Sequence, residues 1–171
     1  MNDIHYEIER KYLIRMPDRA WLEREAEGSE IIQTYLLAAP GTTERVRKRG
    51  RDGVFVCTHT TTTKLSDLRR VELEEEIPEE EYERLLGRAD PDRRVIRKTR
   101  WCFRFEGQLF ELDVFPFWDD RAYLEIELRD ESQEVRLPPA LSIIREVTED
   151  PRYTNAALSV EIPYDDIGKE H

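Results

Sequence analysis

Glu7, Glu9 and Lys11 stand two residues apart in the run Glu7-Ile8-Glu9-Arg10-Lys11. On a β-strand, residues two apart project to one face, so this spacing aims two carboxylates and an ammonium at one place. Carboxylate oxygens are hard donors that suit magnesium or manganese, and a neighbouring lysine can neutralise a phosphate bridged by such a cation. The same spacing recurs in Arg45 and Arg47, Glu72 and Glu74, Lys98 and Arg100, Glu111 and Asp113, and Glu125 and Glu127, with Lys64 ahead of the second acidic pair. An arginine fork grips phosphoryl oxygens in pairs, whereas lysine acts as a compact point charge. Any one of these rows reads as the wet face of an ordinary antiparallel sheet. Together they are sorted by sign, strand by strand, where a soluble surface intersperses the two. Rows of like charge repel unless something faces them.

The elements that must position these rows are strands. Residues 4–14, 43–51, 71–77, 95–105, 109–115 and 123–129 alternate with period two, setting the charges against apolar partners such as Val71, Leu73 and Ile77, or Trp101, Phe103 and Phe105. The β-branched run Thr60 to Thr63 extends the pattern through 55–65. Helical patterns are few: 17–26 with Asp18 as cap, 78–88 opening on Pro78, and a short segment after Asn155. If the sheet closes with its charged face inward, it encloses a polar tunnel while its apolar outer faces pack under the helices. The expectation is an inside-out barrel.

The chain of 171 residues has the length of one domain, 1–171. Its net charge of −11 and pI near 4.9 have the wrong sign for binding nucleic acid or an anionic membrane through bulk charge. Residues 1–13 carry no apolar leader core and no later stretch reaches the length of a membrane span. With only Cys57 and Cys102, a disulfide scaffold is excluded and a reduced, cytoplasmic setting is expected. Neither cysteine has a histidine at a motif spacing, and no Walker P-loop, GxGxxG, GxSxG or HExxH occurs.

The order of the charged pairs resembles the CYTH family of triphosphate tunnel metalloenzymes, and so do the runs at 97–100 (RKTR), 110–115 (FELDVF), 124–127 (LEIE) and 146–153 (EVTEDPRY). The resemblance spans Tyr6 to Leu158. It implies an α+β fold built on an eight-stranded antiparallel closed β-barrel with a charged interior and helices outside. It also implies dependence on Mg2+ or Mn2+ and chemistry at a small-molecule triphosphate. Small single-domain bacterial members favour hydrolysis of inorganic triphosphate to diphosphate and phosphate. The alternatives are an adenylate cyclase of the same fold, a nucleoside or thiamine triphosphatase, or a non-catalytic module that binds polyphosphate or nucleotide. Oligomeric state is left open, with a homodimer among the alternatives.

Carried over by residue, Glu7, Glu9, Glu125 and Glu127 resemble metal ligands, with Glu127 the nearer of the later pair. Lys11, Arg45, Arg47, Lys98 and Arg100 resemble the phosphate clamp. Glu72, Glu74 and Asp113 either bind a second metal or orient the basic residues, while Glu76, Arg49 and Arg104 read as rim charges. The chain departs from the family in two places. The segment FVCTHTTTTKL at 55–65 leaves the family's inward lysine to Lys64, which shares a face with Thr62, or to His59. After Tyr153 the run Thr154-Asn155-Ala156-Ala157 lacks the basic residue of close relatives.

Overall fold

Strands with one charged and one apolar face can bury the apolar side against helices only if the charged side has a place of its own. The computed structural model describes residues 3–66 and 69–168, with side chains from residue 8 onward. It contains β1 (Asp3–Arg15), β2 (Glu27–Leu36), β3 (Thr42–Arg51), β4 (Val54–Lys64), β5 (Arg69–Ile77), β6 (Ile96–Phe105), β7 (Gln108–Val114), β8 (Arg121–Glu127) and β9 (Ile143–Glu146). Eight of these close an antiparallel barrel in the order β1, β5, β4, β3, β2, β6, β7, β8 and back to β1, with β9 outside it. Closure is staggered: Asp3 to Ile8 of β1 pair with β5, whereas Glu9 to Arg15 pair with β8. Where β5 leaves β1, β9 takes its place against Tyr12 to Ile14.

Two hairpins are turned by two-residue loops whose residues both have positive φ, Asp52 (54°) with Gly53 (80°) and Glu106 (49°) with Gly107 (75°). This is the turn whose twist matches that of the strands, and a glycine in second place adopts it without steric penalty. Gly50, just before the first turn, is required for a different reason. A Cβ there would collide with the Val54 carbonyl oxygen across the ladder.

The apolar outer faces are covered in two places. Helix α1 (Arg19–Glu25), capped by the Asp18 carboxylate accepting from the Ala20 N–H, brings Leu22 onto Tyr12, Ile14, Trp101, Phe103 and Leu124. Helix α2 (Glu79–Leu85) sets Tyr82 and Leu85 on Leu36, Val46, Cys57 and Ile77. A third apolar cluster fills one end of the barrel itself. There the inward rows change from polar to apolar: Lys11 gives way to Leu13, Gln33 to Tyr35, Lys98 to Ile96, Asp113 to Phe115 and Glu125 to Tyr123. Tyr153 and Leu158, the latter on the short helix α3 (Asn155–Leu158), close over that end. Among the described residues no helix is long and apolar enough to cross a membrane.

Gly50→Ala is expected to destabilise the protein by about 1–3 kcal/mol, because the new methyl meets backbone rather than a flexible side chain. Gly87→Ala, whose Cβ would enter open space, is expected to leave stability unchanged or slightly raised. Urea denaturation of the two variants beside the wild type checks both.

Candidate active site in the barrel lumen

Seven of the eight barrel strands, all but β4, line a polar cavity of about 170 Å³ in the lumen. Arg45, Arg47 and Arg49 line it from β3, Lys98 and Arg100 from β6, Arg70, Glu72 and Glu74 from β5, Glu111 from β7, Glu125 from β8, and Glu9 from β1. Period two puts each group on the same side of its strand, and the barrel's closure brings the groups together.

The strongest local arrangement is at Asp113, whose side chain is entirely buried. Arg100 donates from Nε to Oδ1 (2.8 Å) and from Nη2 to Oδ2 (2.9 Å), and Lys98 Nζ donates to Oδ2 (2.8 Å). Burial acts to raise the Asp113 pKa, but Arg100 and Lys98 outweigh it and hold the carboxyl well below the usual range. Both its oxygens are engaged by cations, so of its two expected roles the geometry matches orientation of Lys98 and Arg100, not metal ligation. Arg100 also reaches Glu111 (3.0 Å), and its pKa rises despite burial because Asp113 and Glu111 surround it. Lys98 fares less well. Burial, with Arg100 beside it, drives its pKa down to about 8 against the pull of Asp113. Arg47 is lowered to about 10 by burial and by Arg45 and Arg100, with Glu74 3.8 Å away as weak compensation.

The opposite imbalance holds at Glu9, beside Glu125. The pKa of Glu9 is raised first by burial and then by the charge of Glu125, although Arg70 Nη2 donates to its Oε1 at 2.6 Å. For Glu125, burial pushes upward, but Lys11, 3.3 Å away, together with Arg100 and Lys98 outweighs it and the pKa falls. Its Oε1 is nevertheless buried and accepts no hydrogen bond. Two buried carboxylates side by side, one of which raises the other's pKa, are a fit for a divalent cation. Glu7 lies on the same face of β1, placed by its backbone opposite Arg70; its side chain lies outside the described residues. Among the described residues, no three histidine, cysteine or carboxylate side chains already form a cage.

Lys11 Nζ donates to the Tyr153 carbonyl (3.2 Å) and lies 4.7 Å from the centre of the Tyr123 ring, at the border between the charged lumen and its apolar end. Glu72 is buried 3.9 Å from Arg45, and Glu74 accepts from Thr60 Oγ1 at 3.1 Å. Lys64 keeps the parity of Thr60 and Thr62 through an unbroken β4–β5 register and pairs across from Arg70. It lines a second opening, of about 280 Å³, with Arg45, Arg70, Glu72, Thr62 and Thr154. His59 points to the outside, where its Nε2 lies 2.7 Å from Glu44 Oε1, so the alternative that put it in the lumen does not hold. Glu127 is exposed at the rim, while Glu125, one step deeper on β8, is the buried member of that pair. Reading Glu127 as the nearer ligand therefore inverts their depths. Arg49, expected at the rim, lines the cavity; Glu111, named as one of the charged pairs but given no role, lines it too, and Arg70 and Gln33 join it without having been singled out. Arg70 carried a usable signal, since it shares parity with Glu72 and Glu74.

No family model matches the chain. Two curated relatives do. An inorganic triphosphatase from Acetivibrio thermocellus is 34% identical over 159 residues, covering 92% of this chain and 95% of the relative. An inorganic triphosphatase from Nitrosomonas europaea is 35% identical over 162 residues, covering 92% and 99%. The solved structure of the inorganic triphosphatase NE1496 superposes with a TM-score of 0.60 at 32% identity, covering 92% of this chain and 96% of that one. A closed antiparallel barrel with sorted charges in its lumen defines a triphosphate tunnel protein. The chain belongs to this CYTH family, in the branch of the bacterial inorganic triphosphatases.

Asp113→Ala leaves two buried cations without their counter-charge and is expected to destabilise the fold by about 3–5 kcal/mol. The pH dependence has a definite sign. Because the folded-state pKa of Asp113 is depressed, its contribution is full above the ordinary value of 3.8 and is lost as pH falls below it. Urea denaturation is expected to show the stability gap between wild type and Asp113→Asn shrinking as pH drops from about 6 to about 3.

Proposed function

We propose that the protein hydrolyses inorganic triphosphate to diphosphate and phosphate with the help of Mg2+ or Mn2+ bound by the lumen carboxylates. The observation that carries this reading is the shortage of counter-charge at Arg47 and Lys98, whose protonated forms are disfavoured by burial and by neighbouring cations. A linear polyanion laid between β3 and β6 supplies that missing charge. The similarity to inorganic triphosphatases over nearly the full chain supports the same substrate.

Glu9 and Glu125, joined by Glu7 from its place on β1 and by Glu127 across the ladder from Glu9, are the residues that would hold the cation. When bound, a divalent cation supplies charge at the phosphoryl oxygens and lowers the pKa of the attacking water. The chain's own cations do the rest. Arg45 and Arg47 grip phosphoryl oxygens from β3, and Lys98 and Arg100, held in place by Asp113, stabilise charge from β6, two strands along the same wall, as the bond to diphosphate breaks. Lys64 would hold a terminal oxygen at the second opening, while Glu72 and Glu74 keep Arg45 and Arg47 directed inward. Tyr123, Tyr153 and Leu158 keep bulk water out of the far end, which strengthens each of these interactions. The free thiols Cys57 and Cys102 suit a reducing cytoplasm.

The test is phosphate release from inorganic triphosphate, ATP and thiamine triphosphate, each with magnesium or manganese. Turnover of inorganic triphosphate well above the others is expected; metal-independent release, or preference for an organic triphosphate, contradicts the reading. Glu9→Gln is expected to lower kcat by at least about 100-fold at saturating magnesium. Its melting temperature without metal should not fall, because burial and Glu125 already oppose charge at this position. Full activity in Glu9→Gln would remove Glu9 from the metal site.

A further inference from the structure

Among the described residues, the lumen contains an amide side chain that the fold does not use. Gln33, on β2, is 0% exposed and borders the central cavity. Neither its Oε1 nor its Nε2 has a hydrogen-bond partner. It faces inward between Arg47 on β3 and Ile96 on β6, with Ile31 and Tyr35 as its neighbours in the row. A second buried glutamine shows what a structural amide looks like in this protein. Gln108 donates from Nε2 to the carbonyls of Arg136 (2.8 Å) and Phe105 (3.3 Å) and accepts from the Arg136 N–H (3.0 Å), tying a loop to the β6–β7 turn. Gln33 ties nothing. A buried amide without partners lowers stability relative to an apolar side chain of the same size, so its value must lie in something that enters the cavity.

We propose that Gln33 is a direct substrate-binding residue, donating from Nε2 to a phosphoryl oxygen of the triphosphate held by Arg47. The inference rests on the triphosphate reading above and adds a residue to that site. A phosphoryl oxygen is an acceptor, so the amide presents its N–H side. With no partner on either atom, the amide is free to flip into that orientation. Its Oε1 then faces away from the anion, where it can accept from a guanidinium or from water. A neutral donor among the cations adds direction without adding to the repulsion that already weakens Arg47 and Lys98. A leucine at the same position fills the space but offers the anion nothing.

The experiment uses the full-length protein, inorganic triphosphate and magnesium. Gln33→Leu and Gln33→Met are expected to raise KM for triphosphate at least tenfold, and to weaken binding of triphosphate by calorimetry to a similar degree. The same variants should melt at an equal or higher temperature without ligand, since an unpaired amide has been removed, and should gain less than wild type when triphosphate is added. A purely structural amide gives the reverse, with both variants less stable and KM unchanged. KM and calorimetric affinity within twofold of wild type, or a lowered melting temperature in both variants, overturns the assignment of Gln33. Absence of triphosphate binding by the wild type overturns the functional reading itself and this inference with it, an outcome separable from the failure of Gln33 alone.

Discussion

A charge taken out of water must be given a partner, and the interior of this barrel is built around that constraint. Desolvating an ion costs several kcal/mol unless hydrogen bonds and an opposite charge offset it. Asp113 meets the demand for Arg100 with two hydrogen bonds and for Lys98 with one, all inside a site closed to solvent. What it cannot do is neutralise every cation nearby. Arg47 and Lys98 remain short of negative charge, and across the lumen the Glu9 carboxylate is opposed by its burial and by Glu125 beside it. The ligand-free barrel is thus polarised into a wall that favours a polyanion and a wall that favours a metal cation, with a cavity between them.

Holding such an imbalance requires a stiff container, and the apolar residues supply it from the outside. The faces that a common domain would turn to its core are here the outer surface of the barrel, packed beneath α1 and α2 and the segment around Leu141. The far end of the lumen is filled by Leu13, Tyr35, Phe115 and Tyr123 under Tyr153 and Leu158. Charged side chains can then neither retreat to solvent at that end nor spread into an apolar core. The strain of unmatched charge is kept where a substrate can relieve it, which is the condition for electrostatic preorganisation.

Much of this was legible in the sequence because sorted charge on a period of two leaves a signature in the chain itself. The rows at Arg45/Arg47, Glu72/Glu74, Lys98/Arg100 and Glu125/Glu127 fall on barrel strands, and Asp18 caps α1 as its position suggests. The strand β2 escaped because its inward residues, Ser29, Ile31, Gln33 and Tyr35, carry no charge, and β9 is only four residues long. Depth along a strand was also beyond reach. Parity says which face a residue takes, but strand tilt and stagger decide how far into the lumen it sits. That is why Glu125 is buried while Glu127 is exposed, and why Arg49 lines the cavity instead of the rim. Lys64, by contrast, could be placed by parity alone because the β4–β5 register runs without a bulge from Cys57 to Lys64.

The central claim is that a triphosphate lies inside the barrel between the β3 arginines and the Lys98–Arg100 pair. The most direct measurement is a crystal structure of the protein with magnesium and imidotriphosphate, an analogue with nitrogen bridges that resists hydrolysis. Density for the analogue is expected in the lumen, with its oxygens within hydrogen-bond distance of Arg47 and Arg100 and a cation against Glu9 and Glu125. Density for the analogue only on the outer surface of a well-ordered barrel, with the lumen side chains paired as they are in its absence, would contradict it.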